Sequence, residues 1–256
     1  MNILIGIYIF ILGTVFASFF GVIIDRVPQG LNIVTLPSRC DNCGHQLKWY
    51  ENIPILSYIF LSGKCSSCKS KIGSFLLVLE LIGGISLLLV YLKYGLTIEC
   101  LFICLITLMM LLIGGFDYKT NLILNIFLYI LIGLNVTLFV YRVLVLKHYY
   151  LDYLYSALLG LVFFLSLKLI MSKILKKDAL GTGDIWLVTI MGLCFNPFEH
   201  LLALSIGSLV GSIISIILIK LSKTQRETEI AFCPYLCLGY YVILIFGNVL
   251  TNLLVG

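Results

Sequence analysis

Eight long apolar stretches constrain this chain more than any other feature of its sequence. A helix needs about 20 consecutive apolar residues to cross the hydrocarbon core of a bilayer. The composition agrees, because 61% of the 256 residues are hydrophobic and 11% are charged, with a mean hydropathy of +1.12. We therefore predict an all-α polytopic membrane protein with about eight transmembrane helices. The predicted spans are residues 2–24, 74–94, 97–116, 121–141, 151–171, 185–199, 200–219 and 230–252.

The first span is expected to stay in the protein rather than to be cleaved as a secretory signal. No basic residue precedes it, and Asp25 and Arg26 follow its apolar run. The sixth span is the shortest, because Asn196 and Pro197 interrupt it.

The basic residues predict the orientation of these spans. Most of the 17 lysines and arginines lie in the segments 25–73, 172–184 and 220–229, whereas the opposite side carries Lys93, Arg142 and Lys147. Cytoplasmic loops are enriched in basic residues, so these three segments are predicted to lie in the cytosol. The net charge of +5 requires no nucleic-acid partner, because the basic residues are spread over loops next to the membrane.

Two aspartates stand beside glycines at the polar ends of apolar stretches. Asp117 ends the sequence Gly-Gly-Phe-Asp, and Asp184 ends Gly181-Thr182-Gly183-Asp184. With eight spans, both carboxylates are predicted at the cytosolic face. An acid at the edge of a membrane span is a functional-site candidate. Two carboxylates that share a proton supply a general base and a general acid, so the pair predicts a protease site.

The polar segment 25–73 carries a second group of reactive side chains, arranged as two C-x-x-C pairs. Four thiolates in two such turns are typical of a tetrahedral zinc site. Disulfides are the alternative, but they rarely persist in the reducing cytosol. We predict a structural Zn²⁺ that holds this segment in shape. The predicted ligands are Cys40, Cys43, Cys65 and Cys68.

Glu80 lies inside the second span, between Leu79 and Leu81. A lone acid within a span is costly and requires a partner or a water-lined pocket. A role in supporting the site and a structural hydrogen bond within the helices both remain open for Glu80.

The ordered motifs resemble those of the type IV prepilin peptidases, which are bifunctional membrane aspartic proteases. The similar segments occur in one order from the first span to the last. They include Arg26-Val27-Pro28, Ser38-Arg39-Cys40, Cys43-Gly44-His45, Trp49-Tyr50-Glu51-Asn52-Ile53-Pro54, Ser62-Gly63-Lys64-Cys65, Val78-Leu79-Glu80-Leu81, Gly181-Thr182-Gly183-Asp184 and Pro234-Tyr235-Leu236. The chain departs from the family pattern at Trp186, where lysine is usual, and at Cys233, where glycine is usual.

This resemblance implies a function. The enzyme would cut the basic leader from prepilins or pseudopilins after a glycine, on the cytosolic side of the bacterial inner membrane. It would then methylate the new amino terminus with S-adenosylmethionine. Asp117 and Asp184 would be the catalytic pair and the four cysteines the zinc ligands, with Gly181 and Gly183 supporting the site. The sequence identifies no residue that binds S-adenosylmethionine.

The predicted domains are a first transmembrane helix over residues 1–24, a cytosolic zinc-binding domain over 25–73, and a transmembrane peptidase domain over 74–256. Two other function classes remain open. One is a GxGD protease with another class of substrate, which would have no evident use for the cysteine-rich segment. The other is a transporter or an assembly scaffold, in which the acids would bind protons or cations.

Overall fold

A computed structural model describes residues 2–176, 180–220 and 231–255. Parts of two predicted basic loops, residues 177–179 and 221–230, lie outside the described residues. The described residues contain no β-strand beyond two isolated bridges. Their helices are α1 (Ile3–Arg26), α2 (Leu56–Phe60), α3 (Phe75–Tyr94), α4 (Ile98–Thr120), α5 (Asn125–Leu144), α6 (Tyr150–Leu175), α7 (Thr182–Gly192), α8 (Pro197–Lys220) and α9 (Cys233–Val255), with short 3-10 turns at Val27–Gln29 and Trp49–Asn52.

The chain divides into two compact units, and the first is Met1–Leu96. In this unit α1 packs along α3, with the zinc-binding segment between them in the sequence. A Cβ on Gly13 would overlap the carbonyl group of Gly83 and lie 2.9 Å from Cα of Gly84. Glycine therefore lets the two backbones touch, as small residues do between membrane helices. Helix α3 therefore belongs to the first compact unit.

The second unit is Thr97–Gly256, and the short helix α7 lies in its core. Leu187, Val188 and Met191 of α7 are fully buried, and α7 packs against α5 and α6. Helix α4 packs against α5 and α9, and α8 packs against α9.

Seven of the described helices are long and apolar enough to cross a membrane: α1, α3, α4, α5, α6, α8 and α9. The predicted sixth span differs in the structure, because α7 has 11 residues and measures only about 16 Å. Helix α8 takes up the rest of that apolar run. Asn196 caps α8, its Oδ1 accepting the Glu199 N–H at 2.9 Å, and Pro197 occupies the first helical position.

Although short, α7 connects the two ends of the second unit. Its first turn lies against Ile123, in the link between α4 and α5. Beyond its other end, the Cys194 carbonyl accepts a hydrogen bond from the Arg142 guanidinium near the end of α5. The same guanidinium pairs with Glu99 at 2.8 Å, in the first turn of α4. Helix α7 thus begins near the Asp117 end of the unit, and the Arg142 side chain contacts the turn that follows its other end.

Candidate active site and zinc centre

Asp117 lies in the last turn of α4 and is buried, with 6% of its surface exposed. The helix ends directly after it, at Asn121, which adopts a left-handed conformation and donates its N–H to the Asp117 carbonyl at 2.8 Å. One turn before Asp117, Gly114 approaches the beginning of α9. A Cβ on Gly114 would lie 3.4 Å from Cα of Pro234, so α4 and α9 are in close contact beside the aspartate.

Asp184 is the third residue of α7, and both glycines of the Gly-Thr-Gly-Asp sequence have a spatial reason to be there. A Cβ on Gly181 would lie 3.2 Å from Oδ2 of Asp184, so the carboxylate folds back over the helix start. A Cβ on Gly183 would lie 2.9 Å from Cβ of Ile123, which leaves no room for a larger residue. The glycines therefore let α7 begin close to the α4–α5 link while the Asp184 carboxylate keeps its position.

The structure brings the two predicted aspartates together. The carboxylates of Asp117 and Asp184 lie within range of a direct charge–charge interaction. Asp184 is half-buried, so the pair combines a buried acid with a more accessible one. Such a pair has the residue types needed to activate water and to protonate a leaving group.

Sequence reasoning missed a third component of this site. The backbone N–H of Cys233, the first residue of α9, donates a hydrogen bond to the Asp117 carboxylate. The first N–H groups of a helix have no partner within the helix and carry partial positive charge, so they favour a carboxylate. The available signal was Pro234, because proline near a helix start marks where such free N–H groups occur.

The four predicted zinc ligands also come together, in the first unit. Their Sγ atoms all lie within 4.8 Å of one another. Two of the separations, Cys40 to Cys68 and Cys43 to Cys65, are 3.9 Å. Four sulfurs around one Zn²⁺ at about 2.3 Å would be about 3.8 Å apart, so the cluster fits this ion.

The two halves of the zinc centre repeat one backbone design. The N–H of Cys40 donates to the His45 carbonyl, and the N–H of Cys65 donates to the Ser70 carbonyl, each at 2.9 Å. The residue after the second cysteine has positive φ in both halves, at Gly44 (71°) and at Lys69 (61°). Each turn therefore presents two sulfurs to the same point.

At two of the four cysteines, Cys68 and Cys40, local hydrogen bonds favour the thiolate form that binds metal. The Ser70 hydroxyl lies 3.0 Å from the Cys68 sulfur and, together with the Ser70 N–H, lowers the pKa of Cys68 to about 6. The N–H groups of Cys43 and Asn42 hold the pKa of the Cys40 thiol below its ordinary value.

Glu80 is buried within the first unit, whereas both aspartates belong to the second. Its Oε2 accepts the backbone N–H of Ile55 at 2.7 Å, and its carboxylate also accepts the Ser18 hydroxyl. Glu80 thus has the partners that a buried acid requires, and they connect α3 to α1 and to the zinc-binding segment.

Comparisons with known proteins match both units of the chain. A model of the bacterial Peptidase A24 N-terminal domain matches residues 11–94, and a model of the type IV leader peptidase family matches residues 103–216. No solved structure gives a significant match.

Several relatives match most of the chain, and two of them illustrate the similarity. The prepilin leader peptidase/N-methyltransferase of Pseudomonas aeruginosa is 28% identical over 271 residues, which cover 94% of this chain and 90% of that protein. The protein of the same name from Myxococcus xanthus is 30% identical over 238 residues, which cover 88% of this chain and 67% of that protein. The two family models and these relatives, which match nearly the whole chain, show that it belongs to the type IV leader peptidase family of multi-pass membrane proteins.

Proposed function

We propose that this protein removes the basic leader from type IV prepilins or pseudopilins after a glycine and then methylates the new amino terminus. The observation that carries this proposal is that Asp117 and Asp184 lie near enough for the charge of one to act on the other, beside the start of α9. Family membership and the names of the relatives support both activities.

The peptidase step follows from the partners of the two acids. Asp117, which accepts the Cys233 N–H, is the carboxylate best held in its charged form and acts as the general base. It takes a proton from a water molecule, whose oxygen attacks the carbonyl carbon of the scissile bond. Asp184 gives its proton to the amide nitrogen as the carbon–nitrogen bond breaks. The products are a leader with a free carboxylate and a pilin with a free amine.

The zinc-binding segment would hold Zn²⁺ through Cys40, Cys43, Cys65 and Cys68. Because four thiolates close the coordination sphere, the role of the metal is structural. S-adenosylmethionine, when bound, supplies the methyl group that the free amine of the cleaved pilin accepts. No residue of this chain is assigned to the cofactor.

The distribution of basic residues supports an active site at the cytosolic face of the bacterial inner membrane. Its partners are then the lipid bilayer and a membrane-inserted prepilin, whose leader lies on the same side. No feature of the sequence points to a nucleic-acid partner.

The test is co-expression with a prepilin that has a basic leader, a glycine and then a hydrophobic helix. Mass spectrometry of the pilin amino terminus reports cleavage and methylation together. Asp117→Asn and Asp184→Asn keep the side-chain shape but remove the exchangeable proton, so each should abolish cleavage. Asp152→Asn, at an exposed position in α6, is the matched control and should cleave normally.

Near-normal processing by either active-site variant would contradict the paired-acid mechanism. An intact pilin amino terminus with the unmodified enzyme, across several prepilins, would favour a protease with other substrates or a transporter.

A further inference from the structure

Residues 53–60 of the first unit lie alongside the apolar parts of α1 and α3 rather than beyond the ends of these helices. Glu80, which accepts the Ile55 N–H, is the sixth residue of α3 and lies roughly 8 Å along that helix from its start. Helix α3 is apolar from its first residue, Phe75. Ser18, which donates to the same carboxylate, lies about 12 Å before the end of α1. The backbone at Ile55 therefore sits below the ends of both helices, within their apolar range.

The side chains that follow Ile55 are apolar and exposed. Leu56 is 50% exposed, Ile59 is 61% exposed and Phe60 is 82% exposed. Helix α3 exposes Leu76 and Val78 over the same depth. Exposed apolar side chains in water are unfavourable, whereas lipid at this depth would accommodate them.

Residues on either side of the segment have the composition of a membrane interface. Trp49 and Tyr50, which lie three to four residues before its first residue, are exposed, and their ring centroids lie 5.7 Å apart in an edge-to-face arrangement. Tryptophan and tyrosine are enriched where the hydrocarbon core meets the headgroups. Lys48 and Lys64, on the two sides of the segment, are exposed and carry the charge that anionic headgroups attract.

Ile55 itself has a backbone conformation that needs support. Its φ is +63°, which is rare for a β-branched residue, and it immediately precedes α2. Such strain persists only where the surroundings fix it. The hydrogen bond to Glu80 is the contact that fixes it here, and it turns the chain into α2 at this depth.

We propose that residues 53–60 form an interfacial anchor that inserts into the headgroup and upper acyl-chain region of the bilayer, with Glu80 setting its depth. The partner is therefore lipid. The anchor would hold the zinc centre at the membrane surface, independently of any catalytic step.

The test places a single tryptophan in the anchor. Trp49→Phe and Trp186→Phe together remove both native tryptophans, and Phe60→Trp then introduces one reporter. The full-length protein is reconstituted in phosphatidylcholine and phosphatidylglycerol vesicles whose acyl chains carry bromine near the headgroup. Bromine quenches tryptophan only at close range. The reporter should lose more than about half of its emission relative to unbrominated vesicles, since interfacial segments insert about 5–10 Å.

The matched control is Ser67→Trp in the same background, at an exposed position in the second zinc turn. It should be quenched little. Equal quenching at positions 60 and 67 would overturn the proposal. Blue-shifted emission from position 60 without quenching would also overturn it, because protein rather than lipid would then cover the segment. Retained zinc shows that each variant is folded, and Ile59→Trp replaces Phe60→Trp if that variant loses zinc.

A second pair of variants tests the role of Glu80 in the reporter background. Glu80→Leu removes the acceptor for the Ile55 N–H and should reduce quenching at position 60 at least about twofold, because the anchor is no longer held at its depth. Glu80→Gln keeps an acceptor oxygen and should retain the quenching. Unchanged quenching in a zinc-loaded Glu80→Leu protein would show that Glu80 does not set the depth.

Discussion

At the residue scale, the two aspartates differ in what surrounds them. Asp117 is buried and accepts the Cys233 N–H, whereas Asp184 is half-buried and folds back towards Gly181. In the proposed mechanism, this asymmetry gives the charged role to Asp117 and the proton-donating role to Asp184. This difference between the two aspartates depends on the backbone N–H of Cys233, at the start of α9, rather than on another side chain.

The contribution of that backbone group can be tested with Cys233→Pro, which removes the N–H. Proline is well tolerated at the first position of a helix, and Phe232 before it is not helical, so α9 should still form. A hydrogen bond to a charged group contributes about 1.5–3 kcal/mol, so cleavage should fall roughly 10- to 100-fold. Initial cleavage rates on a purified prepilin measure the effect.

Cys233→Ala is the control, because it removes the thiol but keeps the N–H, and it should retain most of the activity. If the two variants at position 233 cleave equally well, the N–H of Cys233 does not support Asp117.

The sequence marks the candidate side chains of the site, but it does not mark this hydrogen bond. Asp117 and Asp184 stand out because acids at the ends of apolar spans are rare, and the paired cysteines stand out by their spacing. A backbone N–H is present at almost every residue, so no sequence pattern marks the one that faces an acid. Cys233 was seen only as a departure from the family pattern.

At the level of the helices, the sequence predicts which apolar stretches form long helices, but it does not predict where every helix ends. Seven apolar stretches became long helices because their length and composition leave little alternative in lipid. The remaining stretch, which was the predicted sixth span, became the short helix α7. The Asn196 cap starts α8 at Pro197, three residues before the predicted beginning of the seventh span. Helices α7 and α8 lie in one continuous apolar run, so hydropathy alone does not show where α7 ends and α8 begins.

The contact between α1 and α3 provides a prediction at this scale. Gly13→Ala would place a methyl group against the Gly83 backbone, which cannot move aside without separating the helices. Overpacking of this kind costs about 1–3 kcal/mol, so the thermal unfolding midpoint of the detergent-solubilised protein should fall.

Gly133→Ala in α5 is the matched control, because nothing lies within 4 Å of the added Cβ. It should leave the midpoint unchanged or raise it, since alanine is the better helix former by about 1 kcal/mol. Equal midpoints for Gly13→Ala and the unmodified protein would mean that α1 and α3 are not tightly packed.

At the scale of the whole molecule, the chemistry is divided between the two compact units. The four-cysteine centre and Glu80 lie in the first unit, and both aspartates lie in the second. Separate family models match the two parts. The packing of α1 against α3, which joins both helices in one compact unit, cannot be predicted from composition.

The metal prediction concerns the first unit. Protein purified without chelators should contain about one zinc per chain, the number that four thiolates close around. Changing Cys40 and Cys43 together to serine should release it, whereas Cys104→Ser, in α4, should not. Elemental analysis of the purified variants measures the zinc. Metal-free unmodified protein, or disulfides among the four cysteines in cells, would contradict the zinc assignment.

The two proposed activities have different chemical requirements. Proteolysis needs two carboxylates and a water molecule, whereas methylation needs a methyl donor and a neutral terminal amine. In the proposed mechanism, Asp184 provides the acid for breaking the peptide bond, and that bond no longer exists in a cleaved pilin. We therefore expect Asp184→Asn to lose cleavage but to keep methylation when it receives a pilin that has already been cleaved. The measurement is transfer of a labelled methyl group from S-adenosylmethionine to that substrate. Asp152→Asn should perform both reactions, and loss of methyl transfer in a folded, zinc-loaded Asp184→Asn enzyme would show that the two activities share this acid.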